Sequence, residues 1–443
     1  MNPKSPASPQ ALSAADVRAK HKEFLFPATS NYYEESLVLT EGKGMRLRDI
    51  DGREYLDFFG GILTVSVGHC NDDVNAAVKA QIDRLGHVST LYPTLPIVEL
   101  AEKLASITPG ALKKCYFTAS GTEADETAVM MAQLHTGRSE IVALRHGYSG
   151  RSMLAQSLTA HSSWRALPTK IPDIKHALSP YCYRCPLGLE YPSCGVKCAQ
   201  DIEELIKTTT TGQIAGFLAE PIQGVGGFIT PPKEYFEIAV GIIRKYGGVF
   251  ISDEVQTGFG RTGSKWWGCE QYGVEPEIMT MAKGIANGWP LSATICTPAI
   301  ADSLQKLTIS TFGGNPISVT AANATLEVME KQDLRGNSER QGRRLRAGLE
   351  GLQRKYPRTI GDVRGMGLMQ GVEHVADETQ GDRTPNAQAT ARLFEETKKR
   401  GLLIGKGGLY GNVLRISPPL TVNAAEVDEA IGKLDESYRA IGA

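Results

Sequence analysis

The chain has 443 residues, 41% of them apolar and 22% charged, which exceeds what one core of ordinary size absorbs, so two domains are expected. A formal net charge of −1 offers no basic stripe for nucleic acid and no acidic tail, and a small molecule is the favoured partner. No apolar stretch reaches the roughly 18 residues of a membrane span, and the first twenty residues lack the apolar core of a secretory signal; a soluble, cytoplasmic protein without a membrane partner is expected.

In chain order, the opening M-N-P-K-S-P-A-S-P-Q-A-L-S is too rich in Pro, Ser and Ala to pack, and residues 1–20 are expected to form a mobile arm. Residues 21–68 are expected to join a smaller domain, chiefly through 46–58. Over 69–314 short apolar runs alternate with segments of helical period, the pattern of an α/β fold with a mostly parallel central sheet covered by helices. Strands are expected at 114–118, 141–144, 214–219, 249–251, 278–281 and 291–295. A helix is expected over 122–133, and Phe236, Val240 and Ile243 give a second segment an apolar helical face. Residues 315–443, helical over 321–331 and 339–355 with a short strand at 413–416, read as a smaller α+β domain.

In such sheets reactive groups gather at the carboxyl ends of strands, and Glu220, Asp253 and Lys283 each follow an apolar run. Taken singly, Asp253 reads as a structural ion pair or a solvated acid, and Lys283 as a lysine snorkelling out of the sheet. Together they fit one chemistry. A desolvated amine attacks an aldehyde, and a buried carboxylate faces a pyridinium, which is what pyridoxal phosphate requires. The phosphate needs an anion site, and Thr118-Ala119-Ser120-Gly121-Thr122-Glu123 ends a strand and opens a helix, with Ser120 and Glu123 spaced as a capping box. Many helices begin this way with nothing bound. Gly258-Phe259-Gly260-Arg261-Thr262-Gly263 spells a dinucleotide fingerprint, but four residues separate it from the strand and no helix is expected after it; a nicotinamide oxidoreductase is a remote alternative.

Four of the eight cysteines fall between 182 and 198. Cys182 with Cys185 and Cys194 with Cys198 suit a tetrahedral zinc site or an iron–sulfur cluster, weighed against four reduced thiols packing an insertion or reversible disulfides.

The motifs A-E-P-I-Q-G, I-S-D-E-V-Q-T-G-F-G-R-T-G, M-A-K-G-I-A-N-G-W-P-L, T-F-G-G-N-P and G-D-V-R-G-M-G-L-M-Q-G-V-E, in this order, resemble the class III, or omega, aminotransferases from about residue 42 to the end. Y-L-D-F-F-G-G-I-L-T-V-S-V-G-H-C and A-E-P-I-Q-G-V-G-G are most similar to the alanine–glyoxylate branch and its bacterial relatives. The resemblance implies the fold type I architecture of pyridoxal-phosphate transferases. It implies Lys283 as the Schiff-base lysine and proton carrier, and Asp253 as the partner of the ring nitrogen. It further implies Val255 and Tyr148 on the two ring faces, Gln256 at the phenolic oxygen, and Ser120, Gly121, Thr122 and Glu220 among the cofactor-binding residues. Thr311 would come from the neighbouring subunit, which implies a homodimer, or a tetramer, with shared sites.

Two positions depart from the family pattern. Ser149 follows Tyr148 where the family often has His, which leaves the local hydrogen-bond network open. Val225 stands where the 4-aminobutyrate and ornithine members carry a glutamate that neutralises the substrate-carboxylate arginine. That arginine is Arg415 here, and without the gate it stays available for pyruvate or glyoxylate in preference to 2-oxoglutarate. The expected reaction moves an amino group from an amino acid or omega-amino acid donor to such a keto acid. The alternatives are a phospholyase acting on a phosphorylated amino alcohol, a 4-aminobutyrate–2-oxoglutarate aminotransferase, and a non-catalytic relative, the last disfavoured because Lys283 and Asp253 are intact.

Overall fold

The computed structural model describes residues 12–29, 31–168 and 170–443. Seven strands form the central sheet. In spatial order they are Lys114–Thr118, Ser292–Cys296, Ile278–Met281, Val249–Asp253, Gly216–Ala219, Ile141–Leu144 and Ile174–Ala177. The last five are mutually parallel, and Ser292–Cys296 runs antiparallel to both of its neighbours. Every residue of Val249–Asp253, Ile278–Met281, Gly216–Ala219 and Ile141–Leu144 is buried. That burial on both faces is why these strands read as continuous apolar runs instead of alternating ones. The expected strands are present, some shortened or shifted by one or two residues. Ile174–Ala177 is an addition, since Ile-Lys-His-Ala has too little apolar content to be legible.

Parallel pairing places Ala219 beside Ser252 and Asp253 beside Thr280, so the ends of three strands form one carboxyl edge. The helix Gly121–Thr136 starts at that edge. Ser120 accepts from Glu123 N as the sequence predicts, the Glu123 carboxylate accepts from Ala119 N at 3.0 Å, one residue before the N-cap, and Gly137 closes the helix at φ +68°.

A second sheet pairs Ile360–Met366, Met369–Asp377, Val413–Ile416 and Gly405–Gly407, with Asp382–Pro385 against its second strand. It is backed by Leu334–Lys355, Ala387–Lys399 and Ala424–Ile441. A third sheet joins the chain ends: Leu39–Lys43, Arg46–Asp49 and Glu54–Asp57 are antiparallel, and Leu402–Leu403 runs parallel to the last of them. Pro316–Lys331 packs on Asp72–Arg84 and Leu95–Ile107, so this helix, expected in the C-terminal unit, is shared with elements that precede the central sheet.

The arm expected over 1–20 falls partly on a helix. Residues 1–11 lie outside the described residues, but Ala14–Phe24 is a helix whose capping box links Ser13 and Asp16; the Pro-rich run stops before the first helix-forming residues.

Candidate active site

Asp253 is the last residue of its strand, Glu220 follows Ala219, and Lys283 stands two residues beyond Met281. The three converge on a cavity of about 350 Å³ whose walls include Ser120, Gly121, Thr122, Tyr148, Val255 and Gln256. Of the residues singled out for cofactor and substrate, Thr311 and Arg415 do not line it. Thr311 is exposed on the loop before Pro316. Four lining residues that the sequence did not single out are Thr64, Asp125, Arg151 and Trp289. Asp125 sits one helical turn after the recognised opening, where it reads as part of a polar helix face. Arg151 reads as an ordinary loop cation.

Lys283 has φ +45°, a left-handed conformation that costs a non-glycine residue of the order of 1 kcal/mol and is tolerated where the surrounding structure demands it. The amine makes no hydrogen bond or salt bridge among the described residues. Burial lowers its pKa, an effect opposed by the carboxylates of Asp253 and Glu220. Asp253 Oδ1 accepts from Val255 N at 3.0 Å, and Glu220 accepts from Tyr148 N at 3.1 Å and Gly224 N at 2.8 Å. Burial pushes both acids up, Asp253 to about 6 and Glu220 to about 8, with the Asp253 charge adding to the shift at Glu220. The backbone N–H donors oppose these shifts, since a hydrogen bond to the ionised form favours it.

Ser120 to Thr122 present the opening turn of a 16-residue helix to the cavity, where free N–H groups and the dipole favour an anion. A Cβ on Gly121 would touch Val255 and Ala282 at about 3.5 Å, and one on Gly150 would lie 2.2 Å from Thr122 Oγ1, so close backbone approach shapes this wall. Tyr148, on the opposite side of the sequence from Val255, has its ring edge-on to Trp164, centroids 5.5 Å apart. The network around Ser149 is closed by its own backbone: Ser149 N donates to Thr159 Oγ1 at 3.0 Å.

Arg415 lies on Val413–Ile416 and is buried, with the rings of Phe228 and Phe59 at 4.8 and 5.3 Å from its Cζ. Among the described residues no carboxylate pairs with it; Nη2 donates to Gln256 Oε1 at 2.7 Å, and Nε has no partner among them. Burial lowers its pKa to about 10, leaving a guanidinium charged at neutral pH. Gln256 therefore meets Arg415 while also lining the cavity. Gly224 makes room for it, since a Cβ there would come within 2.3 Å of the Gln256 amide. Val225, the position of the expected gate, is buried and carries no charge.

The Gly258–Gly263 stretch is a turn without a following helix. It is organised by Glu254, fully buried, which accepts from Gly268 N and Cys269 N, both at 2.8 Å. Arg261 donates to the Leu368 and Pro418 carbonyls. Two of these glycines serve close packing: a Cβ on Gly258 would lie 2.9 Å from the Trp267 ring and one on Gly260 2.7 Å from Arg335 Cγ. No helix N-terminus is available there for a dinucleotide, which removes the nicotinamide alternative.

The cysteine expectation needs correction. Cys182, Cys185, Cys194 and Cys198 border one cavity of about 20 Å³, but all four are free thiols and, among the described residues, no group of three or more His, Cys, Asp or Glu is placed to hold a metal. Cys198 turns into the apolar core from the first turn of Lys197–Thr209, and the rest of the lining is largely proline and leucine. Burial raises the thiols of Cys182 and Cys198 to about 11 and about 12, so both are protonated as free thiols at neutral pH.

The family profile described as Aminotransferase class-III matches residues 28–437. The chain is 45% identical over 426 residues to the mitochondrial alanine–glyoxylate aminotransferase 2 homolog 2 of Arabidopsis thaliana, covering 96% of this chain and 87% of that one. Among solved structures it is similar to an amine transaminase from an uncultivated Pseudomonas species in its PLP-bound form, with TM-score 0.87, 31% identity and 94% and 98% of the two chains covered. It is also similar to an Arthrobacter phospholyase in complex with phosphoethanolamine, with TM-score 0.88, 31% identity and 96% and 100% covered.

Proposed function

The chain belongs to the class III aminotransferase family, and from that premise we propose that it uses pyridoxal phosphate to move an amino group from an amino acid or omega-amino acid to pyruvate or glyoxylate. The observation that carries the acceptor choice is Arg415, a buried guanidinium held only by an amide oxygen. A buried cation without a counter-ion is costly, and a substrate carboxylate offers the bidentate partner it lacks.

The residues fit the cofactor. The helix opening at Ser120, Gly121 and Thr122 suits its phosphate, Val255 and Tyr148 offer two walls for a flat ring, and buried Asp253 suits a protonated ring nitrogen. When bound, pyridoxal phosphate supplies an aldehyde for the amine and a ring that draws electrons from the substrate's α-carbon. Lys283, whose uncharged form burial favours, provides the nucleophilic amine and then carries the proton at that carbon. The Asp253 carboxylate holds the ring nitrogen's proton in place. Gln256 connects the cofactor side of the pocket to Arg415, and Glu220 fixes the Tyr148 backbone. A second copy of the chain would bring its own Thr311 to the phosphate, with residues 69–314 as the cofactor-binding domain and 315–443 as the smaller one. A cytoplasmic location belongs to the same proposal and is checked by cell fractionation, since the Arabidopsis relative has a mitochondrial name.

One observation favours a second reading. Arg151 lines the same cavity, and its backbone N–H donates to Thr122 Oγ1 at 3.4 Å, so a residue that carries a cation adjoins the proposed phosphate end. A phospholyase on a phosphorylated amino alcohol would use such a charge. The test combines both readings on protein loaded with pyridoxal phosphate. Borohydride should fix the cofactor to wild-type protein and not to Lys283→Ala. With the cofactor in its aminated form, pyruvate or glyoxylate should restore the aldehyde spectrum much faster than 2-oxoglutarate. Phosphate release from phosphoethanolamine, without any effect of keto acids, would decide for the second reading.

A further inference from the structure

The surroundings of Arg415 rest on a short, strained loop. Gly224 to Phe228 follow Glu220 and lie against the second sheet, where Gly408 N donates to the Val225 carbonyl at 3.0 Å. Gly227 and Phe228 have φ +97° and +55°. A bulky side chain adopts the left-handed region only where its neighbours hold it there. The loop touches both partners of the guanidinium. The centroid of the buried Phe228 ring lies 4.8 Å from Arg415 Cζ, and Gly224 leaves the space filled by the Gln256 amide that meets Arg415 Nη2.

One peptide unit, joining Gly227 to Phe228, sets where that ring points. Its N–H shares the Gly224 carbonyl with Gly227 N, at a long 3.4 Å, and its own carbonyl accepts from Arg364 Nε at 2.9 Å. Arg364 is the only donor to that oxygen among the described residues. It comes from Ile360–Met366, is buried, and is itself locked in place. Nη1 donates to Asp362 and Glu373 at 2.7 and 2.6 Å, and Nη2 donates to the Tyr181 hydroxyl at 3.0 Å. Glu373 accepts from Tyr181 and Arg184 as well. A planar guanidinium fixed at both of its terminal nitrogens can aim Nε in one direction only. Packing sets where the loop lies, since a Cβ on Gly371 would come within 3.1 Å of the Gly227 oxygen. Arg364 sets which way the carbonyl turns.

We infer that Arg364 is a positioning residue for the keto-acid carboxylate: by holding the Gly227 carbonyl it keeps the Phe228 ring beside Arg415 and so fixes the guanidinium that the carboxylate must meet. Without that bond the peptide unit is free to turn over, which relieves the left-handed φ of Phe228 and carries its ring away from Arg415. Arg364 does not line the cofactor cavity, so it acts through Arg415. The inference rests on the role given to Arg415 above.

The test is the keto-acid half-reaction of the holoenzyme. Its aminated form is mixed with pyruvate, and with glyoxylate in parallel, and stopped-flow absorbance separates the half-saturating concentration from the limiting rate. Arg364→Lys keeps the charge that Asp362 and Glu373 require but places every donor on one atom, which cannot serve Gly227 as well. It should raise the half-saturating concentration about tenfold, the scale of one lost hydrogen bond from a charged donor. The limiting rate and the cofactor content should stay near those of wild type, whereas a merely structural role would lower both. In an Arg415→Ala background the same substitution should add nothing, because the group it positions is gone. An unchanged half-saturating concentration in Arg364→Lys, a fall in limiting rate alone, or a further full increase in the double variant refutes the positioning role and leaves that of Arg415 standing. If Arg415→Ala by itself binds both keto acids as wild type does, or if wild type reacts with neither, the reading of Arg415 fails and the inference with it. If Arg364→Lys does not fold, Tyr181→Phe decides, since it removes only the acceptor of Nη2. It should raise the half-saturating concentration about threefold, and no rise overturns the inference.

Discussion

Arg415 shows how one side chain can set a substrate preference. Its charge sits beside two phenyl rings, and the partner of its Nη2 is the amide oxygen of Gln256, a dipole and not an anion. An amide oxygen gives way to a carboxylate at little cost, because the ion makes a shorter and roughly twice stronger hydrogen bond. Arg415→Ala should therefore raise the apparent KM for pyruvate by the equivalent of about 1.5–3 kcal/mol and leave carboxylate-free amine donors nearly unaffected. Arg415→Lys should recover only part of that, since a point charge cannot make the two parallel bonds. Steady-state kinetics with both donor types separates these outcomes; equal losses for both would assign the carboxylate to another cation.

At the level of elements, the cofactor wall depends on how the helix Gly121–Thr136 begins. Ser120 accepts from Glu123 N and donates to its carboxylate at 2.9 Å. Ser120→Ala should cost about 1 kcal/mol in denaturant unfolding. It should also weaken retention of pyridoxal phosphate, measured as loss of the visible band on dialysis. In the second sheet, His374 on Met369–Asp377 is fully buried between Thr390 and Tyr438, with ring nitrogens 2.8 and 2.7 Å from their hydroxyls. Burial pulls its pKa down to about 4. The unfolded chain then takes up this proton first as pH falls through the ordinary value near 6.5, so the contribution is complete above that pH. It declines between about 6.5 and about 4 and changes no further below, a loss of about 3 kcal/mol in total. Unfolding free energies measured from pH 7 to 4 should show this slope, and His374→Gln should remove one proton's share of it.

The whole molecule leaves an apolar surface next to the loop that carries Thr311. Leu91, Tyr92 and Leu95 are 73%, 66% and 66% exposed and Phe312 is 67% exposed. The His87 and Phe312 rings, 5.5 Å apart, bring the two segments together. A patch of this kind marks a contact surface, and it flanks the loop whose Thr311 is proposed to serve a second copy's site. Phe312→Asp should shift the protein toward monomer in sedimentation velocity and speed cofactor loss. A monomeric variant that keeps its cofactor as tightly as wild type would mean that one chain completes the site alone.

By itself the sequence determined the apolar strands, the capped helix opening and the chemistry-bearing residues at strand ends. Each is written in a few neighbouring residues: Val249 to Asp253 is a buried strand whose last side chain must emerge at the edge, and Ser120 with Glu123 can only cap. The family motifs added the remaining cofactor positions and Arg415. Other facts depended on which distant segments pack together. Ile174–Ala177 is a strand because Ile141–Leu144 offers it a parallel edge, not because its residues demand one. The Gly258–Gly263 turn spells a nucleotide fingerprint in the wrong context, and only the burial of Glu254 and Arg261 shows the packing that surrounds its glycines. The two cysteine pairs lie close in sequence, yet an apolar lining and the fold of Lys197–Thr209 set how their thiols face. The meeting of Asp125 with Thr280, 155 positions apart, and the choice of Gln256 as the partner of Arg415 were decided only by tertiary structure, because charge repulsion and desolvation act through space and become strong only once burial has removed the water between the groups.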